Sequence, residues 1–243
     1  MLLMAVQDFI LSAWDENPID LTSIHLSDSN KKDLDQLLKE FKHISILNSY
    51  NLPVANKLLL FGHTGCGKTT TAKAIARALK KKIIILNLGS IVSSKLGETA
   101  KNVTDVFKKA FREDAVLFLD EFDYIGKKRD YNTSDSGEMQ RLVNAIIQLM
   151  DQIPNSTLLI AATNHSNVID TALLRRFQLK LKFESPNDLE LDAFYDSLLN
   201  EFPKELRNVE RKYSISYAEA KDITFSSVKN KVIEIEESKV MNA

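Results

Sequence analysis

The stretch that most constrains this chain is GHTGCGKTT, residues 62–70, which follows directly on the apolar run KLLLF. It holds three of the seven glycines, and its spacing is Gly62, four residues, Gly67, Lys68 and Thr69. Glycines let the backbone bend so that successive N–H groups point into one concavity, where an anion binds. A helix that starts there adds the partial positive charge of its N-terminus. The pattern, G-x-x-x-x-G-K-[ST], is that of a phosphate-binding loop.

The flanking sequence supplies the context that such a loop requires. Leu58–Phe61 is an apolar run typical of a buried strand. Thr70–Lys81 combines helix formers with apolar residues at helical spacing. We expect Lys68 to reach the β- and γ-phosphates of a nucleoside triphosphate, and the Thr69 hydroxyl to bind Mg²⁺. A glycine-rich turn without a ligand is the alternative.

Composition and charge limit the classes of protein to which the chain can belong. At 243 residues, 44% hydrophobic and 27% charged, it has the make-up of one large globular domain, or of one domain with a small appendage. The net charge of −1, without a basic block, argues against a general nucleic-acid-binding surface. A single cysteine, Cys66, excludes a disulfide within the chain and favours a reducing cytoplasm.

The N-terminal stretch MLLMAVQDFILSAW is apolar in patches. It lacks the positively charged start and the small-residue cleavage site of a signal peptide. No apolar run in the chain approaches the ~18 residues that span a bilayer, so no membrane association is expected. We predict that Met1–Trp14 forms an amphipathic helix that packs on the core or docks on a partner protein.

Beyond residue 55, short apolar runs alternate with helical patterns. The predicted strands are Leu58–Phe61, Ile83–Leu88, Ala115–Asp120, Thr157–Ala162 and Leu179–Phe183. The predicted helices between them cover about residues 68–81, 99–112, 137–151 and 170–175. Five apolar strands alternating with helices predict an α/β fold, in which a parallel sheet carries helices on both faces.

Helices are also predicted on either side of this series. Ser29 is a candidate N-cap for a helix over about residues 30–48. The apolar side chains of that helix share one face: Leu34, Leu37, Leu38 and Phe41. Ser185 and Pro186 resemble an N-cap and a first helical residue, ahead of a helix over 188–201.

A last helix is predicted near the C-terminus. Ser216 and Glu219 have the spacing of a capping box, which opens a helix over about residues 217–236. We therefore place a domain boundary near residue 185, with a small helical subdomain after it.

Two predicted strands end in polar residues, at the edge where an open parallel sheet binds ligands. After AVLFLD, Asp120 is placed to hold Mg²⁺ through its water shell, opposite Thr69. Glu121 is then the candidate base for the water that attacks the γ-phosphate, with an exposed acidic turn as the alternative. Asn164 would orient that water if its strand neighbours Ala115–Asp120, although an asparagine after a strand is usually a turn residue.

An arginine pair follows in DTALLRRFQLKLKF, between a short helix and an edge strand. Such a pair is usually a solvated or salt-bridged surface feature. The functional alternative is an arginine finger, in which Arg175 or Arg176 stabilises the charge on the transferred phosphoryl group, at its own or a neighbour's site.

In this order, the motifs of residues 55–185 resemble those of the AAA+ ATPases, AAA subgroup. GHTGCGKT looks like the Walker A motif and VLFLDE like Walker B. AATN looks like the sensor 1 strand, with Asn164 as the sensor, and IDTALLRRF like the second region of homology, with Arg175 and Arg176 as finger candidates. The resemblance implies a P-loop NTPase fold, with a five-stranded sheet of order 5-1-4-3-2 and a helical lid.

The resemblance also implies an activity and an assembly. Members of this family are Mg²⁺-dependent ATPases that form rings, usually hexamers, with each active site shared between neighbours. For this chain it predicts an N-terminal helical segment over residues 1–54, an ATPase core over 55–185 and a lid over 186–243.

The candidate site follows from the motifs and the resemblance together. The residues expected to bind the nucleotide are Gly62, His63, Thr64, Gly65, Cys66, Gly67, Lys68, Thr69, Thr70 and Asp120. The predicted Mg²⁺ ligands are Thr69 and Asp120, and the predicted catalytic residues are Glu121, Asn164, Arg175 and Arg176.

One departure from the family pattern bears on function. SSKLGET lies where the family carries its first pore loop, yet no aromatic residue precedes Leu96-Gly97-Glu98. Without an aromatic grip, processive threading of a polypeptide is in doubt, and Tyr131 is a candidate second pore contact. The leading hypothesis is an ATP-driven protein-remodelling motor that works with a partner protein. One alternative is an ATP-controlled assembly switch or scaffold. Another is a nucleic-acid-linked loader, although the nearly neutral net charge argues against it.

Overall fold

The computed structural model describes residues 11–12, 20–93, 99–126 and 136–241. These residues fall into two compact units, one within residues 1–62 and 68–182 and the other within 63–67 and 183–243. None of the helices in the described ranges has the length and apolar content that crossing a bilayer requires.

A mainly parallel sheet organises the first unit. Its strands are β1 (Leu11–Ser12), β2 (Lys57–Gly62), β3 (Ile83–Asn87), β4 (Val116–Asp120), β5 (Leu159–Thr163) and β6 (Leu179–Phe183). The spatial order is β1-β3-β4-β5-β2-β6. Counted from β2, the five strands have the predicted order 5-1-4-3-2, so the predicted α/β fold is confirmed.

Strand β1 was not expected from the sequence. Leu11 and Ser12 pair antiparallel with Ile85 and Ile84 of β3, at the edge of the sheet. The prediction of a helix over Met1–Trp14 is therefore wrong at these two residues, and its other residues lie outside the described ranges. An open sheet edge offers a row of unpaired N–H and C=O groups, and an apolar segment that adds to it satisfies them.

The central strands are buried on both faces, which explains their continuous apolar sequences. The side chains of Leu117, Phe118 and Ile160 are all fully buried. Helices lie on both sides of the sheet, and the largest apolar cluster unites sheet residues such as Leu119 with helix residues such as Phe107.

The helices of the first unit confirm most of the predicted series. They are α1 (Asp28–Lys42), α2 (Ile44–Ser49), α3 (Lys68–Ala78), α4 (Leu88–Ser93), α5 (Thr99–Arg112), α6 (Asp123–Gly126), α7 (Ser136–Asp151) and α8 (Thr171–Leu174). Helix α3 ends before the predicted residue 81, because Lys80 adopts a left-handed φ of 55°.

The helix predicted over residues 30–48 is two helices, and its predicted cap is wrong. Ser27, not Ser29, caps α1, and its Oγ accepts the N–H of Asn30 at 3.3 Å. Asn30 is buried, and its side-chain amide donates to the carbonyl of Lys182 in β6 at 2.8 Å. The cap therefore lies three residues before Asn30, and the hydrogen bond of Asn30 holds this first turn of α1 to β6.

The second unit is helical, with α9 (Asp188–Leu199) and α10 (Tyr217–Met241). The predicted start at Ser185-Pro186 is wrong, because Asn187 caps α9 and forms a reciprocal capping box with Glu190 through two hydrogen bonds of 2.9 Å. A capping box satisfies two orphan N–H groups at once, which one serine before a proline does not.

The other predicted capping box of the second unit is confirmed. The N–H of Ser216 donates to Glu219 Oε2 at 2.8 Å, and the N–H of Glu219 donates to Ser216 Oγ at 3.3 Å. The helix that it opens continues to Met241, beyond the predicted end at residue 236.

Candidate functional site

The glycines of the loop after β2 set its backbone conformation. Gly62, Gly65 and Gly67 have φ values of 137°, 74° and 93°. Side chains disfavour this left-handed region, so the turn depends on the glycine spacing seen in the sequence. Helix α3 begins immediately afterwards at Lys68, as the phosphate-binding pattern predicts.

Lys68 is held at the end of β2. Its side chain is buried, and Nζ donates a hydrogen bond of 2.9 Å to the carbonyl of Gly62. This bond fixes the position of the ammonium group beside the glycine loop. The arrangement fits the predicted contact of Lys68 with phosphate.

Thr69, in α3, lies beside Asp120, the last residue of β4. The Thr69 hydroxyl donates to Asp120 Oδ2 at 3.3 Å, and Asp120 Oδ1 accepts the N–H of Glu121 at 2.9 Å. A hydroxyl and a carboxylate oxygen side by side are the donor type that Mg²⁺ takes in nucleotide sites. The residues present therefore fit the predicted ion.

Glu121 occupies a tight turn after β4. Its φ is 54°, a left-handed conformation that non-glycine residues seldom adopt. The next residue fixes the turn: the N–H of Phe122 donates to the carbonyl of Ala162 in β5 at 2.8 Å. The buried Phe122 ring also packs edge-on against Phe177, with ring centroids 5.4 Å apart. Backbone strain that is held by its surroundings is often found at functional sites.

Gly89, in α4, is a site residue that the sequence analysis missed. A Cβ built on Gly89 would overlap Oε2 of Glu121 and would lie 3.1 Å from Cε2 of Tyr124. The absence of a side chain therefore leaves the space that the Glu121 carboxylate occupies. No local motif marks this glycine, because its importance depends on Glu121, which lies in the turn after β4.

The sheet meets the condition set for Asn164. Strand β5 is the parallel neighbour of β4, with Leu117 opposite Leu159 and Leu119 opposite Ala161. Because parallel neighbours end at the same edge, the turn that holds Glu121 and the residue after β5 are brought to the same edge of the sheet. Asn164 is exposed there.

The two adjacent arginines have different surroundings. Arg176 makes a bidentate ion pair with Asp151, the last residue of α7, through hydrogen bonds of 2.9 and 3.0 Å. Its third bond, of 2.8 Å, goes to the carbonyl of Ala172 in α8. The hydrogen bond with Asp151 raises the pKa of Arg176 above its ordinary value. Arg175 is exposed, and within the described part of the chain no hydrogen bond or ion pair holds its guanidinium.

Within the second unit, the loop residues meet the start of α10. The N–H of Ala218 donates to the carbonyl of Gly65 at 3.1 Å, and a Cβ on Gly65 would lie 2.5 Å from Ser216 Oγ. Burial raises the pKa of Tyr217, with smaller contributions from Glu190 and Cys66. Gly65 thus serves both the backbone turn and this close approach, which the sequence analysis did not foresee.

Two predicted features lie outside the described residues. They are the candidate pore-loop segment around Leu96-Gly97-Glu98 and the second pore contact at Tyr131.

Known proteins resemble this chain in sequence. Residues 58–185 match the sequence profile of the "ATPase family associated with various cellular activities (AAA)". An uncharacterized AAA family ATPase, y4kL of Sinorhizobium fredii, is 33% identical over 214 residues, which are 87% of this chain and 64% of that protein. A 26S proteasome regulatory subunit 6B homolog of Saccharomyces cerevisiae is 40% identical over 135 residues, 54% of this chain and 31% of that protein.

A solved structure shows the same fold. The FIGL-1 AAA domain superposes with a TM-score of 0.73 at 20% identity, over 96% of this chain and 79% of that one. The chain spans less than two thirds of the length of both sequence relatives described above. The family profile, however, covers more than half of the chain, from the strand before the glycine loop to the end of β6. The chain therefore belongs to the AAA family of ATPases.

Proposed function

We propose that this protein binds ATP with Mg²⁺, hydrolyses it to ADP and phosphate, and acts as an oligomeric motor that remodels other proteins together with a partner. The observation that carries the proposal is the hydrogen bond from Thr69 to Asp120 at the end of β4, next to Lys68, whose ammonium is bonded to the end of β2. These are the residue types that grip phosphate and its metal ion in P-loop NTPases.

In this proposal the loop residues bind the phosphates through backbone N–H groups, and Lys68 neutralises charge on the β- and γ-phosphates. Thr69 and Asp120 would hold the metal ion, which, when bound, neutralises charge that develops on the phosphate oxygens. Glu121 accepts a proton from the attacking water, and Asn164 orients that water through its side-chain amide.

The surroundings of the two arginines divide their proposed roles. Arg176 is bonded to Asp151 and to the carbonyl of Ala172, so its role is to stabilise the segment after α8. Arg175 is exposed beside it and projects as the finger toward the site of a neighbouring subunit. On this assignment, each site works only when a second copy of the chain supplies Arg175.

The test is ATP turnover per subunit measured against protein concentration, with Arg175→Ala and Arg176→Ala compared singly. We expect the rate per subunit to rise with concentration, and Arg175→Ala to lower kcat by about 1,000-fold, the order of loss that a missing arginine finger causes. Arg176→Ala should lose less activity and should lower the melting temperature, because it breaks the ion pair with Asp151.

Other outcomes would contradict the shared site. A rate that is constant from the lowest concentration and unaffected by Arg175→Ala would mean that each subunit works alone. Equal losses in both variants, without a change in melting temperature, would refute the division of roles between Arg175 and Arg176.

The alternative is an ATP-controlled assembly switch or scaffold. Its support is the sequence before Leu96-Gly97-Glu98, where no aromatic residue is present to grip a polypeptide. Unfolded polypeptide added to the assembled protein should accelerate ATP hydrolysis by a motor. Hydrolysis that no polypeptide changes, combined with ATP-dependent assembly, would favour the switch.

The name of the yeast relative, a proteasome regulatory subunit, supports the proposal of a partner protein.

A further inference from the structure

A buried hydroxyl group connects the two strand ends that carry Glu121 and Asn164. Thr163, the last residue of β5, is 2% exposed, and Asp123, the first residue of α6, is 8% exposed. The Thr163 hydroxyl donates to Asp123 Oδ1 at 2.9 Å and accepts the N–H of His165 at 2.9 Å. Because little water reaches either group, these bonds are what satisfies the hydroxyl.

The bond to His165 closes over Asn164. Thr163 and His165 are the residues before and after it, so one hydrogen bond between them fixes the backbone of the turn. The side chain of Asn164 is exposed, and the position of its amide depends on that backbone. Thr163 therefore fixes the turn from which the exposed side chain of Asn164 extends.

The bond to Asp123 reaches the other turn. Asp123 stands two residues after Glu121, and the residue between them, Phe122, donates its N–H to Ala162 of β5 at 2.8 Å. One backbone bond and one side-chain bond therefore tie the Glu121 turn to the end of β5. Buried hydrogen bonds of this kind are stiff, because breaking one leaves an unsatisfied group in a low-dielectric environment.

We propose that the Asp123–Thr163 hydrogen bond fixes the position of Asn164 relative to Glu121, so that both side chains act on the same water molecule. This inference rests on the proposed ATPase function and assigns two residues that act through others. Thr163 works as donor and acceptor at once, and Asp123 supplies an acceptor. Serine at position 163 can do the same, whereas valine or alanine cannot.

The test compares Thr163→Val, Thr163→Ala and Thr163→Ser in the full chain, by steady-state Mg·ATP hydrolysis and by the dissociation constant for a non-hydrolysable ATP analogue. Valine and alanine should lower kcat about 10- to 100-fold, the cost of an ångström-scale misplacement, and leave analogue binding within about twofold. Serine should restore most of the rate. Thr157→Val is the matched control, because Thr157 is also buried and its hydroxyl has no partner among the described residues.

A double-mutant cycle with Asn164→Ala separates positioning from a general loss of stability. If Thr163 acts through Asn164, adding Thr163→Val to Asn164→Ala should cost less than about twofold further in kcat. Losses that multiply, or a Thr163→Val enzyme as fast as the parent, would overturn the inference. Should Thr163→Val lower the melting temperature far more than Thr157→Val, the same cycle with Thr163→Ala decides by the same criterion.

The proposed function and this inference fail in different ways. If Lys68→Ala binds the nucleotide analogue as tightly as the parent, the nucleotide site itself is wrongly assigned. The other case is that Lys68→Ala loses binding and Asn164→Ala lowers kcat, while Thr163→Val and Thr163→Ala change neither analogue binding nor kcat. The nucleotide site would then be correctly assigned, and the positioning role of Thr163 would be refuted.

Discussion

The loop after β2 and the turns after β4 and β5 serve the same proposed chemistry by different means. In the loop, the groups proposed to bind phosphate belong to the backbone, which glycines with φ values of 74° and 93° shape. The loop side chains differ in their surroundings, since His63 is exposed and Cys66 is buried. In the turns, the proposed functional groups are side chains, and buried contacts with other elements hold the turns in place. Both regions carry a sequence motif, but only in the loop does backbone geometry itself restrict the residue type. The contacts that hold the two turns join residues distant in the chain.

The largest effect that tests this comparison is expected at Glu121. Glu121→Gln keeps the size and the hydrogen-bonding oxygen of the side chain but cannot accept a proton, so kcat should fall about 100-fold or more while nucleotide binding persists. Any ATP-dependent oligomer should accumulate. Hydrolysis at the parental rate would show that the base is elsewhere. Glu113→Gln is the control, because Glu113 precedes β4 at the opposite edge of the sheet and pairs with Lys82 at 3.6 Å.

A smaller effect is expected at Gly89, which contacts the base without being part of it. In Gly89→Ala the new methyl group would overlap Oε2 of Glu121, and the flexible carboxylate would move rather than the backbone. We expect kcat to fall about tenfold, with analogue binding and melting temperature close to the parental values.

The matched control for this prediction is Gly137→Ala, because a Cβ at Gly137 would meet nothing within 4 Å. Adding Gly89→Ala to Glu121→Gln should cost nothing further, since the base is already absent. A full additional loss in the double variant would mean that Gly89 acts on something other than Glu121.

The smallest effects are expected from side chains of the loop. His63→Ala and Cys66→Ser leave the backbone N–H groups in place, so kcat and analogue binding should stay within about twofold of the parent. In contrast, Gly65→Ala places a methyl group against Ser216 in a backbone region that alanine disfavours, and it should weaken binding. A large loss in His63→Ala, with Gly65→Ala unaffected, would reverse the comparison between loop and turns.

Much of the fold could be predicted from local patterns. Helix α5 and strand β6 have the predicted bounds, because apolar periodicity marks an element that packs on one core. The caps were harder, since Ser27 and Ser29 are equally good N-caps locally. In the structure Ser27 is the cap, and Asn30, whose N–H it accepts, is also bonded to Lys182. The two-residue strand at Leu11–Ser12 could not be foreseen, because its pairing depends on an open edge beside Ile84 and Ile85.

By itself, the sequence determined that this chain places a glycine loop, Lys68 and two polar strand ends in the order typical of a nucleotide site. These features are local, because the residue type is restricted by its own backbone or by its place at a strand end. The tertiary structure alone decided that Arg176 pairs with Asp151 while Arg175 is exposed, that Gly89 adjoins Glu121, and that Thr163 bonds to Asp123. Such contacts join residues far apart in the chain, so no window of the sequence contains both partners.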